Sequence, residues 1–299
     1  MAGGRMHSDE VDTDEALVRR LLGAQFPEWA GLSIERIGST GTDNAIYRLG
    51  DDMAVRLPRI GWAVGQVEKE HLWLPRLAPH LSLAIPEPLA MGSPGEGYPW
   101  HWSVYRWLEG ENASTGWIAD WDQAAMDVAR FILELEQIDS AGAPLAGRGV
   151  PLAGRDGDVR TAIAAMRGMI DEEAVTAAWE EALPAPEWER APVWVHGDML
   201  PGNVLVEGGR VRAVIDFGGL GVGDPACDLM IGWALFRGKS RDVFRAALGV
   251  DDATWARGRG QALSQALIFI PYYLKSNPVG VRNAQRTIVE ILAEQAEGT

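Results

Sequence analysis

The chain has 299 residues, 47% of them hydrophobic and 23% charged, and carries a formal net charge of −15. That length exceeds one ordinary core and points to two lobes, in a folded rather than a disordered chain. The acidic balance argues against nucleic acid as the partner, and the single cysteine, Cys227, excludes an internal disulfide framework and a cysteine-based zinc site. A cationic small molecule would suit the charge, although acidic residues also keep a protein in solution with no partner involved. No apolar run reaches the roughly 18 residues of a membrane span, so no membrane partner is expected. The first residues, MAGGRMHSDEVDTDE, hold no apolar signal core, so a cytoplasmic location is expected.

Thr13 to Phe26 shows helical apolar spacing with an acidic first turn. Three β-prone runs follow, LSIERIGS, NAIYRLG and MAVRLPR, the last two joined by a turn at Gly50-Asp51-Asp52. Gln66 to Leu77 reads as a helix that kinks or ends at Pro75. PEPLAMG and WHWSVYRWLEG supply two more strands. After Glu109-Gly110 the texture becomes helical: Trp121 to Ile138, then a Gly/Pro-rich loop from Ser140 to Asp158, then runs at Thr161 to Met169 and Glu172 to Leu183. From Ser240 the chain reads as helix to its end, broken at Ser276-Asn277-Pro278. The pattern is a small β-rich lobe followed by a larger α-rich one, an α+β chain. No heptad seam argues for assembly, so a monomer is the expectation.

Between the helical runs lies VWVHGDMLPGNVLV, Val193 to Val206, a nearly apolar stretch that keeps His196, Asp198 and Asn203. Gly208-Gly209 reads as a two-residue hairpin turn joining it to Arg210–Asp216. Strict alternation would bury Val204, Val206, Val211, Ala213 and Ile215 on one face and leave Asn203 and Asp216 on the other as diagonal neighbours, their Cβ atoms roughly 7 Å apart. Two oxygen ligands so placed suit a Mg²⁺ ion that binds mainly through substrate phosphates.

HGDMLPGN followed by IDFG resembles the catalytic and metal loops of protein kinases, and the form His-Gly-Asp with GDPACDL downstream is similar to the aminoglycoside phosphotransferase family, kin of macrolide, choline and homoserine kinases. The likeness runs from about Ser33 to Trp233 and is densest at residues 194–229. It implies a two-lobed protein-kinase-like fold, with a nucleotide-binding lobe at 1–108 and a catalytic, substrate-binding lobe at 109–299. It implies an O-phosphotransferase that uses Mg²⁺ and ATP or GTP. Asp198 would be the catalytic aspartate, Asn203 and Asp216 the metal ligands, and His196 a brace for the loop. Gly197 and Gly202 would serve tight turns. Asp224 and Asp228 in GDPACDL would brace the catalytic loop, Asp224 also reading as an N-cap ahead of Pro225.

For the nucleotide, the resemblance points to Arg56 as the phosphate cation, where the family usually has lysine, paired with Glu70. Arg59 and Glu68 are their rivals. Ser39 and Thr40, in GSTGTDNAIYRL, fall where a phosphate-covering loop is expected, although this is no GxGxxG, and the absence of GxxxxGK[ST] excludes a P-loop enzyme. The inter-lobe hinge would be SVYRWLEGE, with Tyr105 at the back of the base pocket and backbone groups of Arg106, Trp107 and Leu108 facing the base. Asp156, Asp158, Asp171, Glu172, Glu173, Tyr272 and Tyr273 are candidates for the acceptor pocket. Their carboxylates would suit a polycationic aminoglycoside, and ALIFIPYYL would suit the apolar wall of a macrolide site. A metabolite kinase of the same fold and a nucleotide-binding pseudokinase are the alternatives.

Overall fold

The structure is a computed structural model and describes residues 10–38 and 43–298. The chain divides into two compact units, one made of residues 1–79, 84–109 and 213–218, the other of residues 80–83, 110–212 and 219–299. Among the described residues, no helix is long and apolar enough to cross a membrane.

The first unit opens with helix α1 (Glu15–Gln25), capped by Asp14, whose carboxylate accepts from the Leu17 amide at 2.7 Å. Leu17, Val18, Leu21 and Leu22 line one side of α1, the spacing expected of a helix with one apolar face. They share a core with Tyr47, Leu49, Val55, Leu57, Trp102 and Val104. Burying each of the aliphatic side chains contributes about 1.5–3 kcal/mol. Strands β1 (Ile34–Arg36), β2 (Asn44–Leu49) and β3 (Met53–Pro58) come next, then helix α2 (Gln66–Leu77) and strands β4 (Pro88–Gly92) and β5 (Trp102–Arg106). The sheet is antiparallel in the order β1-β2-β3-β5-β4. Gly50, at φ 60°, begins the turn that sets Leu49 opposite Met53, where the sequence places a hairpin. Helix α2 does not end at Pro75: it runs through it to Leu77. So near the C-terminus the proline removes one helical hydrogen bond and little else. Residues 213–218 join this unit through the Val214 amide, which donates to the Ala84 carbonyl at 2.9 Å.

The second unit contains β6 (Glu111–Asn112), α3 (Trp121–Glu136), α4 (Asp156–Ala165), α5 (Glu172–Ala182), β7 (Val193–Val195), β8 (Val204–Glu207), the first part of β9 (Arg210–Val214) and β10 (Gly221–Gly223). Helices α6 (Ile231–Ala234), α7 (Lys239–Leu248), α8 (Asp252–Tyr273) and α9 (Pro278–Gly298) complete it. Helix α4 starts at Asp156 rather than Thr161, because Asp156 and Asp158 place negative charge in its first turn. Strands β6, β8 and β9 form one small sheet, and β10 pairs with β7 in another. Gly208 and Gly209, at φ 57° and 78°, supply the two left-handed positions that the β8–β9 turn needs.

Candidate active site

In the second unit, β7 delivers the chain into His196-Gly197-Asp198. The loop turns at Gly197, whose φ is 78° and whose added Cβ would lie 2.4 Å from the Gly219 carbonyl oxygen, so only glycine fits. Gly202 has open space around it and no positive φ, so the tight-turn expectation holds for Gly197 alone. His196 is fully buried, and its Nδ1 accepts from the Asp198 amide at 3.2 Å. The Asp228 carboxylate lies under the loop and accepts from the amides of His196 at 2.6 Å and Gly197 at 2.8 Å.

Asn203 ends a short 3₁₀ turn, Pro201–Asn203, instead of opening a strand. Its Nδ2 reaches back to the Asp198 carbonyl at 2.8 Å and carboxylate Oδ2 at 3.1 Å. The five-residue step is the length of that return. The amide nitrogen is thereby spent, while Oδ1 of Asn203 accepts no hydrogen bond among the described residues. The other carboxylate oxygen of Asp198 receives the Arg148 guanidinium.

Of the two carboxylates in GDPACDL, only Asp228 touches the loop. Asp224 caps the following 3₁₀ turn through the Ala226 amide at 3.0 Å and pairs with buried Arg257 at 2.7 and 3.2 Å. It is an N-cap whose oxygens are spent there, so its bond toward this region is its own amide donating to the Gly149 carbonyl at 3.3 Å. Burial pushes Asp228 up to about 6, against the lowering pull of the two loop amides. Burial, with the charges of Asp228 and Asp224, pushes Glu136 from its usual 4.5 to about 7. A carboxyl raised on folding favours the folded state while protonated, and that advantage disappears as pH rises from the unfolded value through the folded one. Glu136→Gln is therefore expected to gain stability over wild type above pH 7, on the order of 2 kcal/mol after allowance for partial exposure, and the gain is expected to vanish near pH 4. Melting temperatures across that range check it.

In the first unit, Arg56 on β3 and Glu70 on α2 form a buried pair. Nη1 of Arg56 meets Oε1 and Oε2 of Glu70 at 2.6 and 2.8 Å. Nη2 donates to Gln66 Oε1 at 3.0 Å and Asp216 Oδ1 at 3.2 Å. Burial alone would lower the Arg56 guanidinium, but Glu70 and Asp216 outweigh it and hold it above the usual arginine range. The rivals are engaged elsewhere: Arg59 with Glu10, and Glu68 with His101 Nδ1 at 2.5 Å. Tyr105 is buried with its hydroxyl on Glu70 Oε2 at 2.5 Å, and burial first, then Glu70, hold that phenol well above its usual value.

Along SVYRWLEGE, the segment expected to be the hinge, the Arg106 and Trp107 amides donate to the carbonyls of Glu87 and Asp52, at 2.9 and 2.7 Å. These amides are therefore not free for a base. The Leu108 amide makes no hydrogen bond among the described residues. Ser39 and Thr40 lie outside the described residues.

The face-alternation expectation fails at both ends of the hairpin. Asp216 has φ 64°, a left-handed backbone past the end of β9, and Leu205 and Val214 are as buried as their neighbours. Strict alternation applies only to extended backbone with one solvated face. The acceptor candidates also have local partners: Asp156 pairs with Arg160 at 2.9 Å and Trp179 at 2.8 Å, and Asp171 caps α5 through the Ala174 amide at 3.0 Å. Sequence reasoning missed Gln66, Lys69 and Arg148. Gln66 could have been found, since it sits one turn before Glu70 on the same face of α2. Lys69 donates to the Gly218 carbonyl at 2.7 Å, and burial lowers its ammonium.

A small antiparallel sheet with one long helix against it, a mainly helical unit and a carboxylate loop clamped from beneath define a protein-kinase-like fold. The chain belongs to the phosphotransferase enzyme family called APH, whose family model matches residues 33–262. Among solved structures, it is similar to the GDP and kanamycin complex of APH(2")-IIia, at 21% identity and a TM-score of 0.73, over 93% of this chain and 98% of that one. It is similar also to macrolide 2'-phosphotransferase MphH from Brachybacterium faecium, at 22% identity and a TM-score of 0.62, over 92% and 98% of the two chains. At these identities the likeness is one of fold. No curated protein matches the chain.

Proposed function

We propose that the chain moves the γ-phosphate of ATP or GTP to a hydroxyl of a small molecule, an aminoglycoside before other acceptors. The observation that carries the reading is the Asp198–Asn203 pair. One amide fixes the carboxylate by its nitrogen and keeps its oxygen free. Asp198 takes the hydroxyl proton as the acceptor oxygen bonds to the γ-phosphorus. The bond from that phosphorus to the bridging oxygen breaks, and the nucleoside diphosphate leaves with the electron pair. Taken one by one, Asn203 Oδ1 in the second unit and the half-exposed Asp216 carboxylate in the first are oxygens of the kind that would hold Mg²⁺, a hard cation that takes one or two protein oxygens and the rest from phosphates and water. When bound, the ion neutralises charge developing on the phosphate oxygens. Arg56, oriented by Glu70 and Gln66, binds phosphate oxygens, and the Leu108 amide is the hinge donor for the base.

The acidic net charge of −15 supports a cationic acceptor. A macrolide or other apolar-faced acceptor is the second reading, favoured by two observations. The carboxylates of Asp156 and Asp171 are engaged locally, and Tyr272 and Leu274 are 59% and 41% exposed. Transfer of labelled γ-phosphate from ATP and from GTP to aminoglycosides, macrolides and amino alcohols discriminates these acceptors. Wild type is expected to label at least one class, and Asp198→Ala none. Nucleotide binding without Mg²⁺ dependence and without transfer to any acceptor would instead identify a pseudokinase.

A further inference from the structure

The contact between Arg148 and Asp198 belongs to no motif. Arg148 sits in the Gly/Pro-rich loop after α3, and the loop is stitched down on both sides of it. Before it, the Ala146 amide donates to the Val222 carbonyl at 2.9 Å, and the Val222 amide to the Pro144 carbonyl at 2.8 Å. After it, the Gly149 carbonyl accepts from Asp224, and the Val150 carbonyl accepts from Gln261 Nε2 at 2.9 Å. A Cβ on Gly149 would lie 3.0 Å from the Asp224 nitrogen, so the loop lies close against the end of β10. Strand β10 is the partner of β7, which carries the catalytic loop. Arg148 is therefore an arm on the same frame as Asp198, not a stray surface cation.

Its Nη1 meets Asp198 Oδ1 and lies 3.4 Å from the Gly197 carbonyl oxygen. With Asn203 Nδ2 on Oδ2, each carboxylate oxygen has one donor among the described residues. Two donors on opposite oxygens stop rotation about the last side-chain bond. Each oxygen keeps a second lone pair, so an acceptor hydroxyl can still donate to the carboxylate. The side chains remain 33% and 24% exposed, so the contact is open to exchange with solution species.

We propose that Arg148 is a positioning residue for phosphoryl transfer, holding the Asp198 carboxylate turned toward the acceptor hydroxyl. This rests on the reading of Asp198 as the group that takes the hydroxyl proton. A misaimed carboxylate costs rate without costing nucleotide affinity, and misplacement by about 1 Å is worth up to roughly 100-fold.

The test uses the full chain with Mg²⁺ and ATP or GTP, and follows γ-phosphate transfer to the best acceptor of the panel or, failing one, to water. Arg148→Ala is expected to lower kcat by about 10- to 100-fold with nucleotide KM within about threefold. Arg148→Lys is expected to recover part of the loss, and so is added guanidinium ion at millimolar levels with the alanine variant. A purely structural role would show no such chemical rescue. The inference is overturned if Arg148→Ala keeps wild-type kcat while Asp198→Asn loses it. It is overturned equally if the loss comes with a lowered melting temperature and resists both lysine and guanidinium. Asp198→Asn that turns over like wild type, or wild type no faster than Asp198→Asn, overturns instead the reading of Asp198, and this inference with it.

Discussion

Asp198→Asn is expected to lower kcat by about 10²- to 10⁴-fold, the range in which a positioned general base acts, with nucleotide affinity within about threefold. The substitution keeps the shape and removes the proposed proton acceptor. The loop should survive it. Asn203 still finds the carbonyl of residue 198, now at 2.8 Å, and Asp228 still holds the amides of His196 and Gly197. Loss of the partly exposed partner of Arg148 costs little stability. Steady-state kinetics paired with nucleotide calorimetry separates the two quantities. A variant that loses nucleotide affinity as much as rate would show that Asp198 serves the donor site.

The second large effect is expected at Arg56 and Glu70. Glu70 is fully buried and receives Arg56 on both oxygens and the Tyr105 hydroxyl on one. Removing either partner leaves a buried charge short of its counterion, which costs about 3–5 kcal/mol. Arg56→Met and Glu70→Leu are each expected to lose that much in denaturant unfolding. The double variant is expected to lose less than either, because apolar groups of similar volume replace a buried ion pair at small or no cost. Catalysis should not follow stability. All three variants are expected to lose at least about 100-fold in kcat/KM for nucleotide, since the cation proposed for the phosphates, or its orientation, is gone. A double variant as unstable as the sum of the singles would mean that the pair acts through its other partners, Gln66 and Asp216.

How much of this was legible in the sequence depended on the range of each contact. The loop from His196 to Asn203 was legible through its resemblance to a kinase catalytic loop, but the reason for the five-residue step, Asn203 closing back on Asp198, appears only in the structure. The Arg56–Glu70 pair joins a strand to the helix after it, 14 residues apart, and the family resemblance pointed to it ahead of its rivals Arg59 and Glu68. Arg148 meets Asp198 across 50 residues from a loop with no periodicity, so nothing in the pattern could announce it. The hairpin argument gave the right turn and the wrong ends. Extended backbone was assumed through Asp216, whereas a left-handed residue there redirects its side chain. The acidic residues at 156–173 were ambiguous because helix N-termini and cation sites favour the same side chains.

The claim that unites these readings is that a hydroxyl oxygen acquires the γ-phosphoryl group through Asp198. Mass spectrometry of the acceptor panel after incubation with Mg²⁺ and ATP or GTP tests it most directly. The account predicts, within the initial-rate period, one acceptor class heavier by a single phosphoryl group with wild type, matched by nucleoside diphosphate release, and at least about 100-fold less of that product with Asp198→Asn. Equal product from both proteins, or no phosphorylated acceptor from wild type, would contradict it.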